Sequence, residues 1–350
     1  TITGITYDSG AYARALELAL DKAGYEELRR QQAERRRRGD TLQLGVGVCT
    51  YVEMTAVLTT SEFGAARVGA DGTMVVSAGT ASSGQGHWTA YAQLASTLLR
   101  VPYESVRVDQ GDTAAVPHGA GTYGSRSLQL GGSAVHRACV ALVEKGKDAA
   151  ARKLEAARDD IELRDGGVFG VKGVAGAALS WAELGPLEAS AEFEQGDQTF
   201  PFGCHVAVVE VDVETGEARL VRHIAVDDCG TVLNHKLAEG QIHGGVAQGV
   251  AQALYEEFVY DGDGNPLTTS LIDYAIPTIG EIPSIETVSM ETPTPLNPLG
   301  AKGVGESGTI GSTPAVQNAV IDALSHLGVR HIDMPLHPMR VWEAIQEARR

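Results

Sequence analysis

Pro298-Leu299-Gly300-Ala301-Lys302-Gly303-Val304-Gly305-Glu306-Ser307-Gly308 runs directly into Thr309-Ile310-Gly311-Ser312-Thr313-Pro314. A lone carboxylate, Glu306, sits among four glycines, whose backbone accepts positive φ and close approach to another object. Thr313 followed by Pro314 predicts a helix N-cap and first turn, and residues 315–324 carry helical apolar spacing. A loop rich in backbone N–H groups that feeds a helix N-terminus favours anions, and a carboxylate held beside a ligand there is placed to exchange protons. Glu306 is therefore the candidate base. Gly303-x-Gly305-x-x-Gly308 also matches a dinucleotide fingerprint, but no strand runs into it and Glu306 would face the pyrophosphate.

The same construction occurs twice more. Gly84-Gln85-Gly86-His87 precedes a helix predicted over 89–99, and Gly119-Ala120-Gly121-Thr122-Tyr123-Gly124-Ser125-Arg126-Ser127 precedes a long one over 128–157. The second is again G-x-G-x-x-G, yet about ten residues separate it from the preceding predicted strand, against a nicotinamide-binding reading that wants the glycines at the strand's end. Three such loops, with Gln85, Ser125, Ser127 and Gln241 as side-chain donors, describe a pocket that grips a large polar molecule by amides and hydroxyls. Arg126 adds one candidate bidentate contact.

Around these loops the pattern is mixed α/β. A helical block is expected over 11–38, strands over 42–57, 65–68 and 73–77 with a turn at Ala70-Asp71-Gly72, and a strand over 106–108. A less ordered stretch over 185–196 divides a first lobe, 1–190, from a second, 191–350, that carries the Glu306 loop. Hairpin strands over 205–213 and 217–227, a helix over 234–256, a strand over 285–291 and a helix from Pro338 complete the second lobe. On the 234–256 helix, Gln241, Gly245, Gln248 and Gly249 form one stripe of small residues and amides, suited to close packing beside a polar ligand or simply against another helix.

Composition limits the partners. With 28 Lys+Arg against 45 Asp+Glu the net charge is −17, which repels phosphate backbones and anionic lipids, so nucleic acid is not an expected partner. Cys49, Cys139, Cys204 and Cys229 lie far apart with no C-x-x-C pair, so the local sequence builds neither a zinc site nor an iron–sulfur cluster. No apolar run of membrane-spanning length is present; the expectation is a cytoplasmic protein that meets the inner face of a membrane only through partners.

The strings SSGQGHWTAYAQLAS (82–96), GTYGSRS (121–127), GQIHGGVAQGVAQAL (240–254) and TPLNPLGAKGVGESGTIGSTPAVQNAVIDAL (294–324) resemble the molybdenum-binding large subunit of the xanthine oxidase family, and within it the aerobic carbon monoxide dehydrogenase branch. The resemblance runs to Met334-Pro335-Leu336 and covers the C-terminal half of such a subunit. It implies two α/β lobes with a molybdopterin cytosine dinucleotide cofactor between them, the molybdenum held through the pterin dithiolene and accompanied by copper in the carbon monoxide branch. By resemblance, Gly84, Gln85, Gly86 and His87 lie near metal and pterin, and Gly121, Thr122, Tyr123, Gly124, Ser125, Arg126 and Ser127 wrap the pterin and its phosphates. Gln241 hydrogen-bonds the pterin system, while Lys302, Gly303, Val304 and Gly305 carry the cofactor-side loop of Glu306, the base. The implied reaction oxidises carbon monoxide, an aldehyde or an N-heterocycle with oxygen from water. Electrons then leave through an iron–sulfur small subunit and an FAD-binding medium subunit, in a dimer of heterotrimers that also contains the N-terminal half of the large subunit.

Overall fold

The computed structural model describes residues 1–2 and 4–350. The N-terminal helical block is two helices, α1 (Tyr12–Ala23) and α2 (Tyr25–Arg38), because Gly24 turns left-handed (φ 67°) and ends the first. Strand β1 (Leu42–Val52) stops five residues before its expected end. There follow β2 (Ser61–Val68), β3 (Met74–Ala78), α3 (His87–Leu99), β4 (Val106–Asp109) and α4 (Ser133–Leu154). A wide π-type turn over Ser127–Gly132 opens what the sequence predicts as uninterrupted helix.

Next come β5 (Ile161–Arg164), β6 (Val168–Val171), β7 (Ala178–Ser180), the short α5 (Trp181–Leu184) and β8 (Leu187–Glu194). The last of these is a correction: the stretch expected to be less ordered is a strand, with Ala189 and Phe193 buried on one face. Beyond it lie β9 (Phe202–Asp212), β10 (Ala218–Asp228), α6 (His235–Leu254), β11 (Ile285–Met290), α7 (Ser307–Leu324) and α8 (Pro338–Ala348).

Two four-stranded sheets carry the molecule, in the orders β1-β9-β10-β11 and β4-β3-β2-β8, with a small β5-β6-β7 sheet beside the second. The sheets do not divide at 190/191. Strand β1 leaves the N-terminal part to pair antiparallel with β9, from Leu42 opposite Asp212 to Val52 opposite Phe202, and β8 returns to pair with β2. The chain therefore crosses between the sheets just after β1 and just before β9, and residues beside those crossings reach both.

The first sheet is sandwiched: α1 and α2 cover one face, with Ala15, Ala19 and Ala23 against Phe202, Val206 and Ile224, and α7 with α6 covers the other. Helix α7 starts two turns earlier than Thr313-Pro314 predicts, with Pro314 inside it. The glycines read as loop are contact points of this helix. A Cβ on Gly311 would fall 2.6 Å from the His205 ring, one on Gly308 2.6 Å from the Ile242 carbonyl of α6, and one on Gly47 of β1 2.0 Å from the Ala315 carbonyl. A helix pressed this closely to a strand and another helix needs hydrogen where other residues carry carbon. Pro314 is tolerated because its missing N–H frees only one carbonyl, in a turn where the Thr313 hydroxyl already donates to the Thr309 carbonyl at 3.1 Å.

Candidate functional site

Three segments from the two sheets meet at one cavity of about 310 Å³. One wall is the start of α3 with the loop before it; a second is the 122–128 loop; the third is the 302–306 loop, backed by the 229–241 segment that leads into α6. Asn234 caps α6 by accepting from the Leu237 N–H at 3.1 Å and donates to Gln93 of α3 at 3.0 Å, so the start of α6 is fixed to the middle of α3. The Glu306 loop is anchored behind: the Thr231 N–H donates to the Gly300 carbonyl at 2.9 Å, the Lys302 N–H to the Cys229 carbonyl at 2.7 Å, and Asn297 brackets Ala301 through both its N–H and its carbonyl.

Of the residues singled out from sequence, Gln85, His87, Thr122, Tyr123, Gly124, Ser125, Ser127, Gln241, Lys302, Gly303, Val304, Gly305 and Glu306 line this cavity together. Gly84, Gly86 and Gly121 shape the loops behind the wall, each with φ between 80° and 110°. Gly121 donates to the Gly79 carbonyl at 3.2 Å and Thr122 to the Ala81 carbonyl at 2.7 Å, which ties the first two glycine loops together.

Two residues expected at the cofactor have their charged ends committed elsewhere. Arg126 is fully buried and points away from the cavity into an ion pair with Glu62, with further bonds to the Gly121 and Ser61 carbonyls at 2.7 Å. Its guanidinium is a structural pin. Lys302 lends its stem to the wall, but its ammonium donates to the Ser9 carbonyl at 3.1 Å and the Phe200 carbonyl at 3.3 Å, with Asp8 and Asp228 at about 4 Å. The cavity's donors are thus neutral.

Glu306 occupies the N-cap position of α7 and remains exposed at the cavity wall. The Ser125 hydroxyl donates to its Oε2 at 2.6 Å across the gap between the two sheets. To do so Ser125 holds a left-handed backbone (φ 52°), uncommon for a residue with a Cβ and found where the surroundings enforce it. Gly303 permits the approach, since a Cβ there would stand 2.5 Å from that of Ser125.

Sequence reasoning missed Glu53, just beyond β1, whose carboxyl stands 3.5 Å from the same Ser125 hydroxyl that holds Glu306. Burial first, and then Glu306, push its carboxyl up to about 8. A lone acid closing the apolar run Val46-Gly47-Val48-Cys49-Thr50-Tyr51-Val52 was the available signal. Also missed was the 229–238 wall, where burial pushes the Cys229 thiol up to about 12, so it stays protonated and inert at neutral pH. His87, at the start of α3, is pushed down to about 4 by burial and is a neutral imidazole; its Nδ1 is buried with no partner. Among the described residues no three His, Cys, Asp or Glu side chains cluster to hold a metal ion directly, and no helix is long and apolar enough to cross a membrane.

A cavity between two α/β layers, walled by three glycine loops and closed by one accessible carboxylate, defines a cofactor-binding domain, and residues 18–283 match the molybdopterin cofactor-binding domain family. The chain belongs to that family, among the molybdenum-binding large subunits of the xanthine oxidase type. The carbon monoxide dehydrogenase large chain of Hydrogenophaga pseudoflava is 39% identical over 98% of this chain and 46% of its own length. Carbon monoxide dehydrogenase from Oligotropha carboxidovorans superposes with a TM-score of 0.90 at 35% identity, over 98% of this chain and 46% of that one. Quinoline 2-oxidoreductase from Pseudomonas putida 86 does so at 0.90 and 37%, over 98% and 47%. The chain spans about half the length of the relatives it matches.

Proposed function

We propose that this chain is the cofactor-binding half of a molybdenum hydroxylase large subunit of the carbon monoxide dehydrogenase type, with Glu306 as its base. The observation that carries the reading is the convergence of the three glycine loops on one cavity whose single accessible acid is Glu306. The residues fit the pterin part of such a cofactor: the wall offers hydroxyls, amides and the unpartnered His87 Nδ1, and keeps its two buried cations turned away. A neutral, hydrogen-bonding cradle suits the polar edges of a pterin better than it suits a free phosphate.

Gln85, Ser127 and Gln241 would hold the cofactor, in the molybdopterin cytosine dinucleotide form. When bound, it supplies two-electron oxidation with oxygen taken from water, with copper taking part if the substrate is carbon monoxide. Glu306 accepts, at its carboxylate, the proton that water-derived oxygen must lose before transfer; the Ser125 hydrogen bond holds the acceptor in place for it. An aldehyde or an N-heterocycle is the alternative substrate, and the similarity to a quinoline-oxidising enzyme favours keeping it.

The partners are those the family resemblance implies, and one stretch of surface suits a cover. In the irregular 255–284 segment Leu271, Ile272 and Ile279 are 78%, 96% and 96% exposed, and apolar groups standing this far out mark a covered face. The N-terminal half of the large subunit is the proposed cover, with iron–sulfur and FAD subunits accepting the electrons and two such assemblies paired. The test is elemental and nucleotide analysis of the purified complex: about one molybdenum and one released CMP per copy of this chain are expected, and a complex lacking both overturns the reading.

A further inference from the structure

Behind Glu306 lies a second carboxyl that the proposed chemistry leaves unused. Glu53 is only 8% exposed, and the Ser307 and Ser125 hydroxyls each stand 3.5 Å from one of its oxygens. The groups that face it are Tyr51 from β1, Ser125 from the 122–128 loop, and Glu306 with Ser307 from the start of α7. None of them is a cation. Tyr51 is committed elsewhere: its hydroxyl donates to Asp227, which also accepts from His205 at 3.1 Å, and burial with Asp227 holds the phenol well above its ordinary range, so it stays neutral.

Two carboxyl groups set about one serine hydroxyl, with no cation to share, cannot both ionise cheaply; one keeps a proton. The buried member keeps it, because water still solvates Glu306. We infer that Glu53 is a positioning residue for Glu306: protonated, it donates a hydrogen bond to the Glu306 carboxylate and, with Ser125, fixes that carboxylate at the cavity wall. The inference rests on the proposed role of Glu306 as base. With Glu53 pushed up to about 8, the clamp holds at neutral pH; above that, Glu53 loses its proton, the donor is gone and the two carboxylates repel.

The test uses the intact complex carrying this chain, with Glu53→Gln, Glu53→Ala and Glu306→Gln variants. In Glu53→Ala kcat should fall about tenfold or more with KM little changed, the size expected for a lost hydrogen bond to a charged group. Glu53→Gln, a permanently neutral donor, should recover most of that loss, and its kcat should stay level above pH 8 where the wild type declines. Infrared titration, which needs no turnover, should show a protonated carboxylic acid band in the wild type that disappears around pH 8 and is missing from Glu53→Gln. Identical pH profiles for wild type and Glu53→Gln, or no difference in that band, would overturn the inference. Wild-type turnover in Glu306→Gln would instead remove the base assignment, while the infrared titration would still decide whether the two acids share a proton.

Discussion

Ser125 and Arg126 are neighbours in one loop, and the regions they serve are opposites. On the Arg126 side the guanidinium, Glu62 and two carbonyls form a fully buried set in which the one negative charge meets one positive charge. On the Ser125 side two carboxyls, Glu53 and Glu306, meet hydroxyls only, and one of them stands open to the cavity. The first region is electrically closed and holds the loop's shape. In the second, no counter-ion quenches the acids, so a proton has somewhere to go. The loop thus separates structure from chemistry within two residues, by sending alternate side chains to opposite sides.

Because of that contrast, each side should fail in its own way when disturbed. Arg126→Met leaves Glu62 buried without its counter-charge and should cost about 3–5 kcal/mol of stability, read as a lowered denaturant midpoint of the complex. Whatever protein stays folded should keep an unshifted pH profile. On the other side, Glu53→Gln should change how stability depends on pH. A carboxyl raised from 4.5 to about 8 by folding contributes stability that is complete below the unfolded value and is lost as pH rises through the folded one. Relative to wild type, Glu53→Gln should therefore gain stability between pH 5 and pH 8, by a few kcal/mol, since each tenfold change in proton affinity is worth about 1.4 kcal/mol. Thermal melts across that range check the sign. The smallest effect is expected from Ser125→Ala, which removes one of two donors to Glu306 and should lower kcat by about tenfold while leaving the fold's stability within about 1 kcal/mol.

What the sequence disclosed, and what it hid, divides along the same physical line. Glu306, the two other glycine loops and Gln241 were legible because backbone amides and turn residues are local features, and they do converge on one cavity. The start of α7 was not legible: Gly308 and Gly311 look like loop residues until the neighbouring strands and α6 are seen pressing against them, so tertiary packing overrode the Thr313-Pro314 signal. Arg126 read as a ligand because an arginine in a glycine loop normally faces an anion, and Lys302 entered through the family resemblance alone; their counter-charges, Glu62, Asp8 and Asp228, come from distant parts of the chain. Strand β8 was missed because its outward face alternates Glu188, Ser190, Glu192 and Glu194, which lowers the apolar content of the window below what a strand normally shows. Glu53 stayed hidden for the reason that makes it interesting, since the acid it faces, Glu306, lies at the far end of the sequence.

That the one accessible carboxylate in this cavity takes the proton in a molybdenum-dependent oxidation is tested most directly by measuring substrate-driven turnover and molybdenum content side by side in Glu306→Gln complex. Full molybdenum occupancy is expected, with turnover lowered by about 10²–10⁴-fold, the contribution of a positioned general base. Turnover at the wild-type rate in fully loaded Glu306→Gln complex would contradict it.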